Sequence, residues 1–158
     1  MQLVQLPVNI NFKQCKDMEK DHYIGVDISK RTIDIAIYVK SQAKKGTFPH
    51  ETFSNTEEGF KDMKKWLRKQ HVVLSKSLFC MEATGNYTYE LCLFLEQLGV
   101  AYSIQSPLHL KRSFGLTHGK NDKVDASRIA YYAYLHREDI KLSKLASDSV
   151  RKLKALIV

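Results

Sequence analysis

The stretch HYIGVDISKRTIDIAIYVK, residues 22–40, decides how this chain folds. Its first half is apolar apart from Asp27 and ends in a polar turn at residues 29–31. Its second half alternates Ile33, Ile35, Ile37 and Val39 with Asp34, Ala36 and Tyr38, the period of two that marks a strand. Strands joined by so short a turn pair antiparallel. Asp34 reads as a solvated residue on the polar side. Asp27 differs, because it interrupts a segment that otherwise belongs in a core.

Outward from this hairpin, the polar segment 42–46 makes a second turn. Residues 47–55, TFPHETFSN, make a third strand, placed at a sheet edge by Pro49, which cannot donate to a central ladder. A helix follows, capped by Asn55 or Thr56, with Glu57 and Glu58 in its first turn and Phe60, Met63, Trp66 and Leu67 on its apolar face. SLFCMEA (77–83) is apolar enough for a strand covered on both faces. A helix closed by Gly99 comes next, then a strand over 100–105 and a short helix over 108–115 opened by Pro107. The last substantial helix begins at Asp122. The order β-β-β-α-β-α-β-α-α is that of a ribonuclease H-like α/β fold: a mixed five-stranded sheet, with an antiparallel three-strand meander, flanked by helices.

Composition narrows the function. The chain has 158 residues, 44% of them hydrophobic and 10% aromatic, as expected for one globular domain. Lys and Arg outnumber Asp and Glu by 25 to 17, a net charge of +8, so a polyanion such as nucleic acid is the expected partner. No apolar run reaches the roughly 18 residues of a membrane span, and residues 1–21 lack the order of a signal peptide. The expectation is a soluble, cytoplasmic protein. Cys15, Cys80 and Cys92 form no CxxC pair, and the histidines show no ligand spacing, which argues against zinc and disulfides.

The chemistry rests on carboxylates. Asp27 closes the first strand and Glu82 the fourth, each an isolated charge after apolar residues, and neighbouring strands would bring both to one edge of the sheet. Asp122 and Asp125, spaced i and i+3 at the head of a helix, would point the same way. Taken singly, Asp27 and Glu82 are also ordinary turn residues and Asp122 an ordinary N-cap; Asp125 has no competing capping role. Converging carboxylates raise one another's pKa unless a cation is shared, and hard ions such as Mg2+ or Mn2+, expected as a pair in the phosphoryl-transfer arrangement, prefer such oxygens. Lys111, Arg112, Lys120, Lys123 and Arg128 lie where they would line a nucleic-acid backbone, or simply form solvated helix faces. ATGNY (83–87) offers a phosphate its backbone N–H groups, or is a strand-to-helix turn capped by Asn86.

With these motifs in view, YIGVDISKRTIDIAIY, MEATGNYTYELCLFLEQLG and SPLHLKRSFGLTHGKNDKVDASRIAYYA together resemble the N-terminal domain of the Piv/MooV-type DEDD transposases, recombinases of insertion sequences, over residues 22–140. The resemblance places the acidic tetrad on Asp27, Glu82, Asp122 and Asp125. It implies a RuvC-like fold, Mg2+ dependence, action on DNA strands, in some members a guide (bridge) RNA, and a homodimer or homotetramer. It also implies a coiled coil and a second, serine-bearing domain. The expected division is an extension at 1–21, the catalytic domain at 22–146, and the start of a coiled-coil segment at 147–158, where the helical pattern of Val150, Leu153, Leu156 and Ile157 stops in mid-stride and points to a longer polypeptide. Two alternatives stand beside the transposase: a non-catalytic binding module for DNA or guide RNA, and an actin-like ATPase or sugar kinase, whose first hairpin is similar but whose second phosphate loop is missing from the sequence.

Overall fold

The computed structural model describes residues 20–42, 48–83, 85–114, 125–147 and 156. Within them, β1 (His22–Ile28), β2 (Thr32–Val39) and β3 (His50–Ser54) form the antiparallel meander. Two strand–helix units then add β4 (Ser77–Glu82) and β5 (Ala101–Gln105), both parallel to β1 in direction. The sheet order is β3-β2-β1-β4-β5, so the strand that carries Asp27 lies at the centre. Four α-helices accompany the strands among the described residues: α1 (Glu57–Lys69), α2 (Tyr89–Gln97), α3 (Pro107–Ser113) and α4 (Ala126–Leu135).

The alternation in residues 22–40 sorts side chains between two cores. Ile24, Val26, Ile28, Ile33, Ile35 and Ile37 join Phe79 and Met81 under α1 and α2. Tyr23, Tyr38, Leu78 and Cys80 face the other way, against Ile129, Ala130, Tyr132 and Ala133 of α4. β4 is buried on both faces up to Met81, as a central parallel strand must be. β3 is the edge strand expected from Pro49. At the opposite edge, residues 141–145 shield β5: Ser143 donates its N–H to the Tyr102 carbonyl (2.8 Å), and the Ser143 hydroxyl accepts from Ile104 N–H (2.9 Å). Pairing an edge in this way removes a template for aggregation.

The structure settles some helix ends that the sequence leaves open and moves others, each for a local reason. Thr56, not Asn55, caps α1, because its hydroxyl accepts from Gly59 N–H at 3.2 Å. Asn86 does not cap α2; a 3-10 turn over Gly85–Thr88 runs directly into that helix. α3 starts at Pro107 itself, capped by Ser106, and ends at Ser113. Gly99, at φ +68°, does close α2 in the left-handed conformation that glycine adopts without cost. Residues 1–19, all but the last two of the expected extension, and most of 148–158, where the coiled coil is expected to start, lie outside the described residues.

Candidate metal and nucleic-acid site

The site is assembled at the C-terminal edge of the parallel strands. In the β1–β4 register Val26 pairs with Met81, so Asp27 and Glu82 are the next residues on adjacent strands. By alternation both side chains stand on the face that α4 covers. Their proximity is visible in their electrostatics: partial burial raises the Glu82 carboxyl above its ordinary pKa, the Asp27 charge raises it further, and the Lys111 ammonium of α3 opposes both. Lys111, chosen from sequence as a contact to nucleic acid, is therefore also close enough to act on Glu82. Arg112 and Arg128 are exposed. Lys120 and Lys123 lie outside the described residues.

The helix α4 reaches this edge because of Gly25. A Cβ at Gly25 would lie 1.9 Å from the Ala126 carbonyl oxygen and 2.4 Å from the Ala130 nitrogen, so only glycine lets the helix backbone come this close to β1. Further along α4, Tyr134 packs edge-on against Tyr23 with ring centroids 5.5 Å apart. The helix therefore runs opposite to β1, with its N-terminus toward Asp27.

The head of that helix corrects the sequence reading. α4 begins at Ala126 rather than Asp122, and its N-cap is Asp125, whose carboxylate accepts from Arg128 N–H at 2.9 Å. Asp125 thus does have a capping role. Its backbone is extended (φ −77°, ψ 169°), so it is not within a helix that began three residues earlier, and the assumed i, i+3 helical geometry with Asp122 does not apply. Asp122 itself lies outside the described residues. Capping occupies one lone pair of one oxygen, and a carboxylate has further acceptor sites for an additional ligand.

Asp34, expected on the solvated polar side, lies directly opposite Asp27 in the β1–β2 ladder. It is half-buried and accepts a hydrogen bond from the Thr52 hydroxyl. The signal was present in the sequence: a hairpin closing around Lys30 and Arg31 sets position 27 against position 34. Three acids, Asp27, Asp34 and Glu82, therefore stand on one face of neighbouring strands, flanked on β5 by Gln105. Gln105 donates to the Ser103 hydroxyl (2.7 Å) and accepts from Tyr132 O–H (3.3 Å).

Asn55, freed from capping by Thr56, has a structural task of its own. Its side-chain amide donates to the Ser29 carbonyl at 3.0 Å and to the Tyr87 carbonyl at 3.1 Å. It thereby ties the turn after Asp27 to the turn after Glu82. No pattern in the sequence announced this.

The donor set is chemically suited to a hard divalent ion: carboxylate oxygens, side by side, whose joint ionisation the fold disfavours. Among the described residues, no group of three His, Cys, Asp or Glu side chains is close enough to hold an ion. The expected tetrad has a member, Asp122, outside them. No helix of the described residues is long and apolar enough to cross a membrane.

Comparison with known proteins agrees with this architecture. The RuvC of Thermus thermophilus in complex with a Holliday junction substrate is similar in structure, with a TM-score of 0.51 at 9% identity, covering 76% of this chain and 98% of that one. The likeness shows the ribonuclease H-like fold. Pilin gene-inverting proteins of Moraxella bovis and Moraxella lacunata are each 32% identical over 138 residues, covering 85% of this chain. The chain spans 40% of the length of these relatives. The family model of the DEDD transposases typified by IS110, described as a transposase, matches residues 24–158, most of the chain, including the strands that carry Asp27 and Glu82 and the capped helix at Asp125. The actin-like alternative is set aside by that match: this chain belongs to the DEDD transposase family.

Proposed function

We propose that this chain is the catalytic domain of a DNA recombinase that cuts and transfers strands during the movement of an insertion sequence. The observation that carries the reading is the adjacency of Asp27 and Glu82 at the C-terminal ends of parallel strands, with the Glu82 carboxyl raised above its ordinary pKa. Family membership supports it, and so does the name of the relatives, which describes inversion of a gene.

On this reading Asp27, Glu82, Asp122 and Asp125 hold Mg2+ or Mn2+, two ions in the full site. Once bound, the metal supplies charge stabilisation and an activated oxygen nucleophile for phosphoryl transfer. The rest falls to the chain's own residues. β1 and β4 hold two carboxylates at fixed separation, and Gly25 lets α4 deliver a third. Lys111 tempers the charge of Glu82 and is placed to meet a phosphate that approaches the same acids. Arg112, Lys120, Lys123 and Arg128 hold the backbone beyond it. Completion of recombination by a serine-bearing second domain, use of a structured guide RNA, and a dimeric or tetrameric assembly belong to the same proposal.

Calorimetric titration with Mn2+ tests the core of it. Wild type should bind, and the Asp27→Ala/Glu82→Ala double variant should lose at least tenfold in affinity. Equal binding by both would overturn the assignment. A guide RNA would show as tight binding of transcribed flanking RNA, and DNA cleavage should vanish in EDTA.

A further inference from the structure

Tyr87 stands apart from the other aromatic residues. Most of the exposed or half-exposed rings have ring partners: Tyr131, 41% exposed, lies 5.7 Å from Tyr38 and 6.4 Å from Tyr134 between centroids. Tyr87 is 46% exposed, and among the described residues no ring–ring contact involves it. A single exposed apolar residue is ordinary in itself. Its setting is what matters. Tyr87 lies in the 3-10 turn Gly85–Thr88, which follows Glu82 at the edge of the sheet. Its backbone is held by Asn55, whose other N–H binds Ser29, two residues beyond Asp27. Among the described residues the buried Asn55 Oδ1 has no hydrogen-bond partner, so the two donor contacts of the clamp are the ones its side chain makes there.

We infer that Tyr87 is a stacking platform for an unpaired DNA base beside the acidic site, clamped there by Asn55. The inference rests on the DNA-processing function proposed above and adds a contact that the acidic tetrad does not include. An exposed ring on a fixed backbone loses little freedom when a base settles on it, and stacking tolerates any base because each has a π face. Where the strand that passes the acids is unpaired, a ring at the rim replaces the stacking its bases have lost.

The test uses the 158-residue chain and DNA with a short single-stranded gap containing 2-aminopurine, in Ca2+ to prevent cleavage. Wild type should quench the probe on binding. Tyr87→Ala should weaken binding by roughly 5- to 100-fold, the range for loss of one stacked base, and abolish the quench. Tyr87→Trp should restore both, and Asn55→Ala should diminish the quench. Unchanged thermal melting of Tyr87→Ala would show that the loss is not one of folding. The idea is overturned if Tyr87→Ala binds and quenches like wild type, if it weakens gapped and fully paired DNA equally, or if its loss is confined to RNA. Mn2+ titration of the same samples separates the two levels. A Tyr87→Ala variant that keeps Mn2+ and DNA binding unchanged sinks this inference alone; a wild-type chain that binds neither sinks the functional reading with it.

Discussion

The two faces of the sheet are made from alternate residues of the same strands and have opposite chemistry. Under α1 and α2 the contacts are almost wholly hydrocarbon: isoleucines of β1 and β2, Phe60, Phe79, Met81 and Leu95, all essentially buried. Under α4 the face begins in tyrosines and ends in carboxylates: Tyr23, Gly25 and Asp27 along β1, Tyr38, Ala36 and Asp34 along β2. The first face is where stability is generated. The second gives up burial at one end so that charge can stand at the sheet edge, and sites of this kind are commonly held at some cost to stability. Each contrast makes a measurement.

The largest effect is expected at the junction. Gly25→Ala would drive a methyl into the backbone of α4, which cannot move aside as a side-chain tip would. We expect a loss of about 3 kcal/mol or more in urea unfolding, with α4 losing its hydrogen-exchange protection before the β1–β2 hairpin does. A loss under about 1 kcal/mol would show that α4 does not depend on close approach.

On the hydrocarbon face, Phe79→Ala should cost about 3–5 kcal/mol, since Phe79 is fully buried and leaves a cavity. It should unfold cooperatively and leave metal affinity per folded molecule unchanged. A selective loss of metal binding would mean that the two faces are not separable as described.

Neutralising the acidic end should act in the opposite direction. The folded pKa of Glu82 is raised, first by burial and then by Asp27, so ionisation opposes folding. That penalty is absent at pH below the unfolded carboxyl pKa and sets in as pH rises through the folded value. Glu82→Gln should therefore raise the metal-free Tm at pH 7 by about 1–4 °C, an advantage that fades as pH falls toward 4. Metal binding should fall in the same variant. A lower Tm at pH 7 would contradict the reading of Glu82 as a destabilising functional charge.

The smallest effect compares the thiols. Burial pushes Cys80, on the tyrosine face, and Cys92, on the hydrocarbon face, both up to about 12. In a Cys15→Ser background neither should react with a thiol reagent at pH 8 until the protein unfolds, because the thiolate is the reactive form. Rapid reaction of Cys80 alone would reveal that the α4 face opens.

Much of this was legible in advance because it depends on neighbours in sequence. Period-two alternation identified β2 and its buried face, Pro49 placed β3 at an edge, and isolated charges closing apolar runs singled out Asp27 and Glu82. The misreadings concern residues with several local options. Asn86, Asp122 and Asp125 are all good caps on their own, and which one caps depends on where the backbone first turns helical. Asp34 reads as solvated because an acid on an alternating strand usually is, and only the hairpin register sets it opposite Asp27.

By itself, the sequence determined the elements, their order and the residues available for chemistry, because periodicity and turn residues act over a few positions of chain. It also carried enough family likeness to point to a transposase. Only the tertiary structure decided that β1 lies between β2 and β4, that a glycine admits α4 to the edge where Asp27 and Glu82 stand, and that Asn55 joins the two turns beside them. These are contacts between segments tens of residues apart. They are set by close packing and hydrogen-bond satisfaction in the folded chain, which no local pattern encodes.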